Sequence, residues 1–160
     1  MLKRWAAVTA LVVILMIPIV AFGIVPLFVR STLNEPPMVL SPVAPPASVS
    51  QEQGSPTPDV RFAGDLRRID LVHYGSGRVT LADGVLRFEN VDIAGAPNMY
   101  VYLSNRIDGQ PGNFIDLGPL KANHGSFNYM VPAGAAHGSA QSVVVWCGAF
   151  SVTVTFAVLA

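Results

Sequence analysis

Arg78-Val79-Thr80-Leu81 and Val85-Leu86-Arg87-Phe88-Glu89 alternate in polarity on either side of Asp83-Gly84, and this period of two constrains the fold more than any other feature of the chain. Successive side chains of a strand point to opposite faces, so the pattern buries one face and wets the other. Asp-Gly accepts the positive φ values of a two-residue turn whose twist suits its flanking strands. The spacing therefore predicts a hairpin. Further runs at 99–104, 114–117, 126–131, 142–147 and 150–159 are divided by Gly, Pro and Asn clusters. Many short strands with frequent turns predict an all-β domain, an antiparallel β-sandwich, over residues 61–160. Val152-Thr153-Val154-Thr155-Phe156 has one apolar face. Val143-Val144-Val145-Trp146-Cys147 is apolar on both, which predicts a central strand covered on both sides. The same period puts Cys147 on the face of Val143 and Val145.

Composition narrows the function. The 160 residues carry ten Lys plus Arg against ten Asp plus Glu, without the basic excess that phosphate backbones demand, so nucleic acid is not an expected partner. A single cysteine closes no internal disulfide and builds no multi-thiolate metal site.

Two segments precede the β-rich part. Trp5 to Val29 is twenty-five residues without a charge, twenty-one of them apolar, long enough to span a hydrocarbon core of about 30 Å as a helix. Lys3 and Arg4 flank it on one side, and only Arg30 follows before Arg61. This bias predicts an uncleaved, single-pass signal anchor over residues 1–30 in a cell membrane, with the amino terminus cytoplasmic and the rest extracytoplasmic. The rival is a cleaved secretory signal at Ala21-Phe22-Gly23, but the apolar run continues beyond it to Val29. Residues 31–60 contain seven prolines among Ser, Thr, Gln and Ala. Fixed φ angles and missing amide donors predict an extended, disordered stalk there.

Few residues carry chemistry. Cys147 is the only thiol, in a part of the chain expected to face an oxidising compartment, where an unpaired cysteine is either a reactive group, a ligand or an inert packed hydrophobe. Trp146 is its neighbour in sequence, and Lys121 lies in a loop punctuated by Gly118 and Pro119. His73, His124 and His137 are too scattered for a metal motif. His-Gly-Ser occurs at 124–126 and 137–139, without the Gly-x-Ser-x-Gly elbow of a serine nucleophile. Asp92, Asp108 and Asp116 form no carboxylate pair by spacing.

The ordered blocks Pro97-Asn98-Met99-Tyr100-Val101-Tyr102-Leu103-Ser104, Phe114-Ile115-Asp116-Leu117-Gly118-Pro119-Leu120-Lys121, Asn128-Tyr129-Met130-Val131-Pro132, Ser142-Val143-Val144-Val145-Trp146-Cys147 and Phe150-Ser151-Val152 resemble the DM-thirteen domain, the electron-transfer domain of Skeletor-type cell-surface proteins. The resemblance implies an all-β extracytoplasmic module with a redox role centred on one cysteine, which matches Cys147, acting as a bare thiol or as ligand to a prosthetic group such as haem. On that reading Trp146, Lys121 and His124 are candidate neighbours of the sulfur, a surface site lies under the 121–126 loop, and a redox protein is the partner. Ala96, Asn98, Val154 and Thr155 depart from the family's usual Gly, Asp, Phe and Gly. The alternative is a non-catalytic binding or adhesion module in which Cys147 only packs the core.

Overall fold

The computed structural model of the protein describes residues 30–38, 62–132 and 140–160, together with Ile14. The expected anchor, apart from Ile14 and Arg30, lies outside the described residues, as do positions 39–60 of the expected stalk and, in the expected β domain, Arg61 and His137. Among the described residues no helix is long and apolar enough to cross a membrane.

Nine strands are present among them: β1 (Thr32–Asn34), β2 (Phe62–Asp65), β3 (Gly75–Ala82), β4 (Val85–Ile93), β5 (Met99–Ser104), β6 (Phe114–Pro119), β7 (His124–Met130), β8 (Ser142–Cys147) and β9 (Val152–Val158). They form a five-stranded sheet, β1-β7-β4-β3-β2, and a four-stranded sheet, β6-β5-β8-β9. The expected hairpin is β3–β4, with Asp83 at φ 48° and Gly84 at φ 75° in its turn. The central strand is β8, between β5 and β9.

One apolar core joins the sheets. Val79, Leu81, Leu86, Phe88, Phe127 and Tyr129 from the first sheet meet Val101, Leu103, Val143, Val145, Cys147 and Val154 from the second. Phe88 and Phe127 stack at 5.1 Å, and Tyr129 meets both edge-on at 5.8 and 6.0 Å. Each such ring contributes about 1.5–3 kcal/mol by burial, plus about 0.5–1.5 kcal/mol per aromatic pair.

The sheets also hydrogen-bond where β2 meets β9. Ala63 and Ala160 exchange amide bonds of 3.1 and 3.0 Å, and the Arg67 amide donates to the Phe156 carbonyl at 3.0 Å. Glycine is required at position 64 because a Cβ there would stand 2.1 Å from the Val158 carbonyl oxygen.

Two expectations need correction. The disordered stalk does not begin at residue 31, because Thr32, Leu33 and Asn34 pair in parallel with His124, Gly125 and Ser126. The proline argument fails locally because the first proline is Pro36, so the five residues before it keep every amide, and the edge of β7 offers those amides partners. For the same reason the domain is not wholly antiparallel: β1 adds one parallel pair.

Candidate functional site

The alternation of β8 separates its last two side chains. Cys147 points into the core and has no exposed surface. Its Sγ–H donates to the Pro97 carbonyl at 3.2 Å, and its ladder neighbours are Met99 and Val152. The Gly148 amide donates to the Asn98 carbonyl at 2.9 Å, which clasps this strand end against the start of β5. Asn98 makes the clasp at φ 57°, a left-handed conformation that asparagine tolerates better than most residues.

Trp146 faces the opposite way, onto the outer side of the second sheet, beside Tyr100. Tyr100 stacks with Tyr102 at 6.3 Å, and Tyr102 with Phe114 at 4.2 Å, so aromatic rings run across three strands. Burial and the nearby Asp116 carboxylate push the Tyr102 phenol above its ordinary value.

Next to Trp146 a cleft of about 370 Å³ is lined by Ile69, Asp70, His73, Asp108, Gln110 and Phe156, among others. Its walls are loops held by their own carboxylates. Asp70 accepts from the His73 ring and from the His73 and Val72 amides, and the His73 contact foremost holds it at about 2. Asp108, paired with Arg106 and accepting the Gln110 amide, is likewise held at about 2. The second loop is pinned over β8 and β9 where Ser142 donates to the Arg106 carbonyl and Thr153 to the Gly109 carbonyl, both at 2.6 Å. Val144, between these anchors, is therefore buried although it points outward.

Lys121 and His124 have their partners elsewhere. The Lys121 ammonium pairs with Glu35 at 3.0 Å and lies 5.4 Å from the centre of the Tyr129 ring. His124 Nδ1 stands 3.3 Å from Asp92 Oδ1, an ion-pair distance without hydrogen-bond alignment, which leaves that buried oxygen without a donor. Of the candidate neighbours, only Trp146 adjoins Cys147 in the chain, and it does so on the other face of the strand.

Sequence reasoning missed Glu35. Its carboxylate accepts from the Asn128 amide at 2.8 Å and the Asn128 side chain at 3.2 Å, and pairs with Lys121. The Asn128 amide first, then Lys121, draw its pKa below the ordinary carboxylate value. The only signal for it was an isolated acid before Pro36-Pro37.

A family model described as electron transfer DM13 matches residues 69–159, from the cleft loop through β9. The chain belongs to the electron transfer DM13 family. No curated protein and no solved structure matches it. Thr155, one of the departures from the family pattern, donates its hydroxyl to the Arg67 carbonyl at 2.8 Å, and Val154 sits in the core. These two residues thus serve the seam between the sheets.

The DM13 domain's Cys147 does not suit haem ligation. An axial thiolate must face an opening that admits the porphyrin, whereas this sulfur is enclosed by both sheets and donates to a backbone carbonyl. Among the described residues no group of three or more His, Cys, Asp or Glu is placed to hold a metal ion.

Proposed function

We propose that this DM13 protein is a membrane-anchored electron-transfer module, displayed outside the cytoplasm, in which a bound redox cofactor, and not Cys147, is the group oxidised and reduced as it exchanges electrons with a redox protein at the outer face of the second sheet. Family membership supports the reaction class. The uncharged run from Trp5 to Val29, with Lys3 and Arg4 before it, supports the anchor and its orientation. The observation that carries the finer reading is the division of β8: Cys147 is enclosed, while Trp146, Tyr100 and Tyr102 stand on the solvent side. Thiol exchange requires a sulfur that a second sulfur can reach, so in this reading Cys147 packs the core and the partner meets aromatic rings.

Protein-film voltammetry on the full chain, purified from membranes with whatever it carries, tests this. The wild type should give a redox couple that persists in folded Cys147→Ala. Loss of the couple in folded Cys147→Ala returns the site to the thiol. Absence of any couple from the wild type removes electron transfer and favours the second reading, a binding module, which the burial of Cys147 equally supports.

A further inference from the structure

Ser31 marks the end of the first sheet at which the chain enters. β1 runs parallel to β7 from Thr32 beside His124 to Asn34 beside Ser126. Hydrogen bonds carry that same end across the sheet: the His124 amide to the Ser31 carbonyl, the Ile93 amide to the Asn123 carbonyl, and the Ala94 amide to the Tyr74 carbonyl. Tyr74 is three strand spacings from Ser31, about 15 Å. Immediately before it, the loop 69–73 closes on itself, with the Ile69 and Asp70 amides both donating to the His73 carbonyl.

That loop presents Leu71, 88% exposed, and Val72, 67% exposed, at its tip. Asp70 is committed inward to the Val72 and His73 amides and the His73 ring, so the fold itself holds the apolar tip outward. Across the cleft, the turn after β8 presents Phe150, 63% exposed; the two loops are neighbours because Ile69, Asp70 and His73 share the cleft with Ser151 and Val152. Among the described residues from Arg30 onward these are the three most exposed large apolar side chains, and all lie on turns at the end where the chain enters. Met130, Ile107, Phe114 and Met38 are also exposed, each to a smaller degree.

We infer that this end of the domain is seated on the bilayer that holds the chain's own anchor, with Leu71, Val72 and Phe150 entering the interface. The inference rests on the anchor reading. What selects lipid as the occupant is the tether: the apolar run ends at Val29 and β1 begins at Thr32, so Arg30 and Ser31 alone separate them, at most about 7 Å of chain. A domain tied that closely turns its entry end to the membrane. Exposed apolar tips there meet the headgroup and acyl boundary, where such side chains are buried by about 5–10 Å. On this reading the proline-rich residues after Met38, which follow β1 in the sequence, do not set the domain's height.

The test uses the full chain in phosphatidylcholine vesicles. Cys147 is buried and the chain has no other cysteine, so single variants Leu71→Cys, Phe150→Cys and, at the far hairpin, Asp83→Cys each accept one environment-sensitive fluorophore. Labels at 71 and 150 should be blue-shifted against that at 83 and quenched by lipids spin-labelled near the headgroup. Labels at 71 and 150 as wet and unquenched as that at 83, on chain that resists carbonate extraction, overturn the seating and leave the anchor standing. Chain released by carbonate overturns the anchor and the seating together. Because all three substitutions lie on exposed turns, far-UV circular dichroism of each variant should match the wild type.

Discussion

Replacing Cys147 by Ala separates a packing thiol from a working one. The substitution removes one sulfur from a site with no exposed surface. The lost apolar burial is worth about 1 kcal/mol, taking the sulfur as roughly one methylene. The space left, about 25 Å³ if the walls stay put, adds about 0.6 kcal/mol at about 24 cal/mol per Å³. Losing the weak S–H donor to Pro97 adds about 0.5 kcal/mol. The domain should lose about 2 kcal/mol, which lowers the urea midpoint by about 1 M for the slope of about 1–3 kcal/mol per M of small domains. The assay is urea unfolding of the full chain followed by Trp146 fluorescence in a Trp5→Phe background, with iodoacetamide labelling of the wild type in parallel. Alkylation should be negligible in the native state and should follow the unfolding curve. If native Cys147 reacts as fast as a free thiol, or if Ala leaves the midpoint unmoved, the core assignment of the sulfur is wrong.

Gly125→Ala should detach β1. Its φ is +107° and the added Cβ would lie 2.1 Å from the Leu33 carbonyl oxygen; hydrogen exchange should rise by at least tenfold at the Glu35 and His124 amides, which bond across that edge. Glu35→Ala leaves the Asn128 amide, on a residue with almost no exposed surface, without its acceptor. A loss of about 1–2 kcal/mol is expected in the same urea assay, against less than about 1 kcal/mol for Lys121→Ala, whose ion pair is partly exposed to water. Acid should loosen the cleft before the core. Asp70 and Asp108, ordinarily near 3.8, are held at about 2, so the stabilisation they give is complete above about pH 4 and is lost as pH falls towards 2. Protection factors at the Val72, His73 and Gln110 amides, taken against the intrinsic rate at each pH, should fall across that window while those at Phe88 and Phe127 hold.

The hairpin and the bounds of β5 and β8 were legible because period two and a positive-φ turn are local signals. The face that Cys147 shares with Val143 and Val145 was legible for the same reason, but whether the sulfur on it is covered was not, because that depends on the opposing sheet. β1 and β2 were not, since strands of three and four residues, one running into two prolines and the other containing Gly64, owe their hydrogen bonds to neighbours remote in sequence. The surroundings of the thiol were unreadable for a related reason. Lys121 and His124 are placed by how β1 and the 119–123 connection lie on β7, and no spacing within the chain encodes that path. The cleft beside Trp146 depends on two loops pinned by side-chain bonds to backbone carbonyls, which polarity patterns do not reveal.

A sheet margin is a row of unpaired amides, open to pairing with the next molecule. β1 caps the margin of β7 with three residues, of which Thr32 and Asn34 are exposed and polar, and the chain then runs into Pro36 and Pro37, which have no N–H to offer. The short strand thus acts as a selvedge: a neighbour sliding alongside β1 finds few amides to bind.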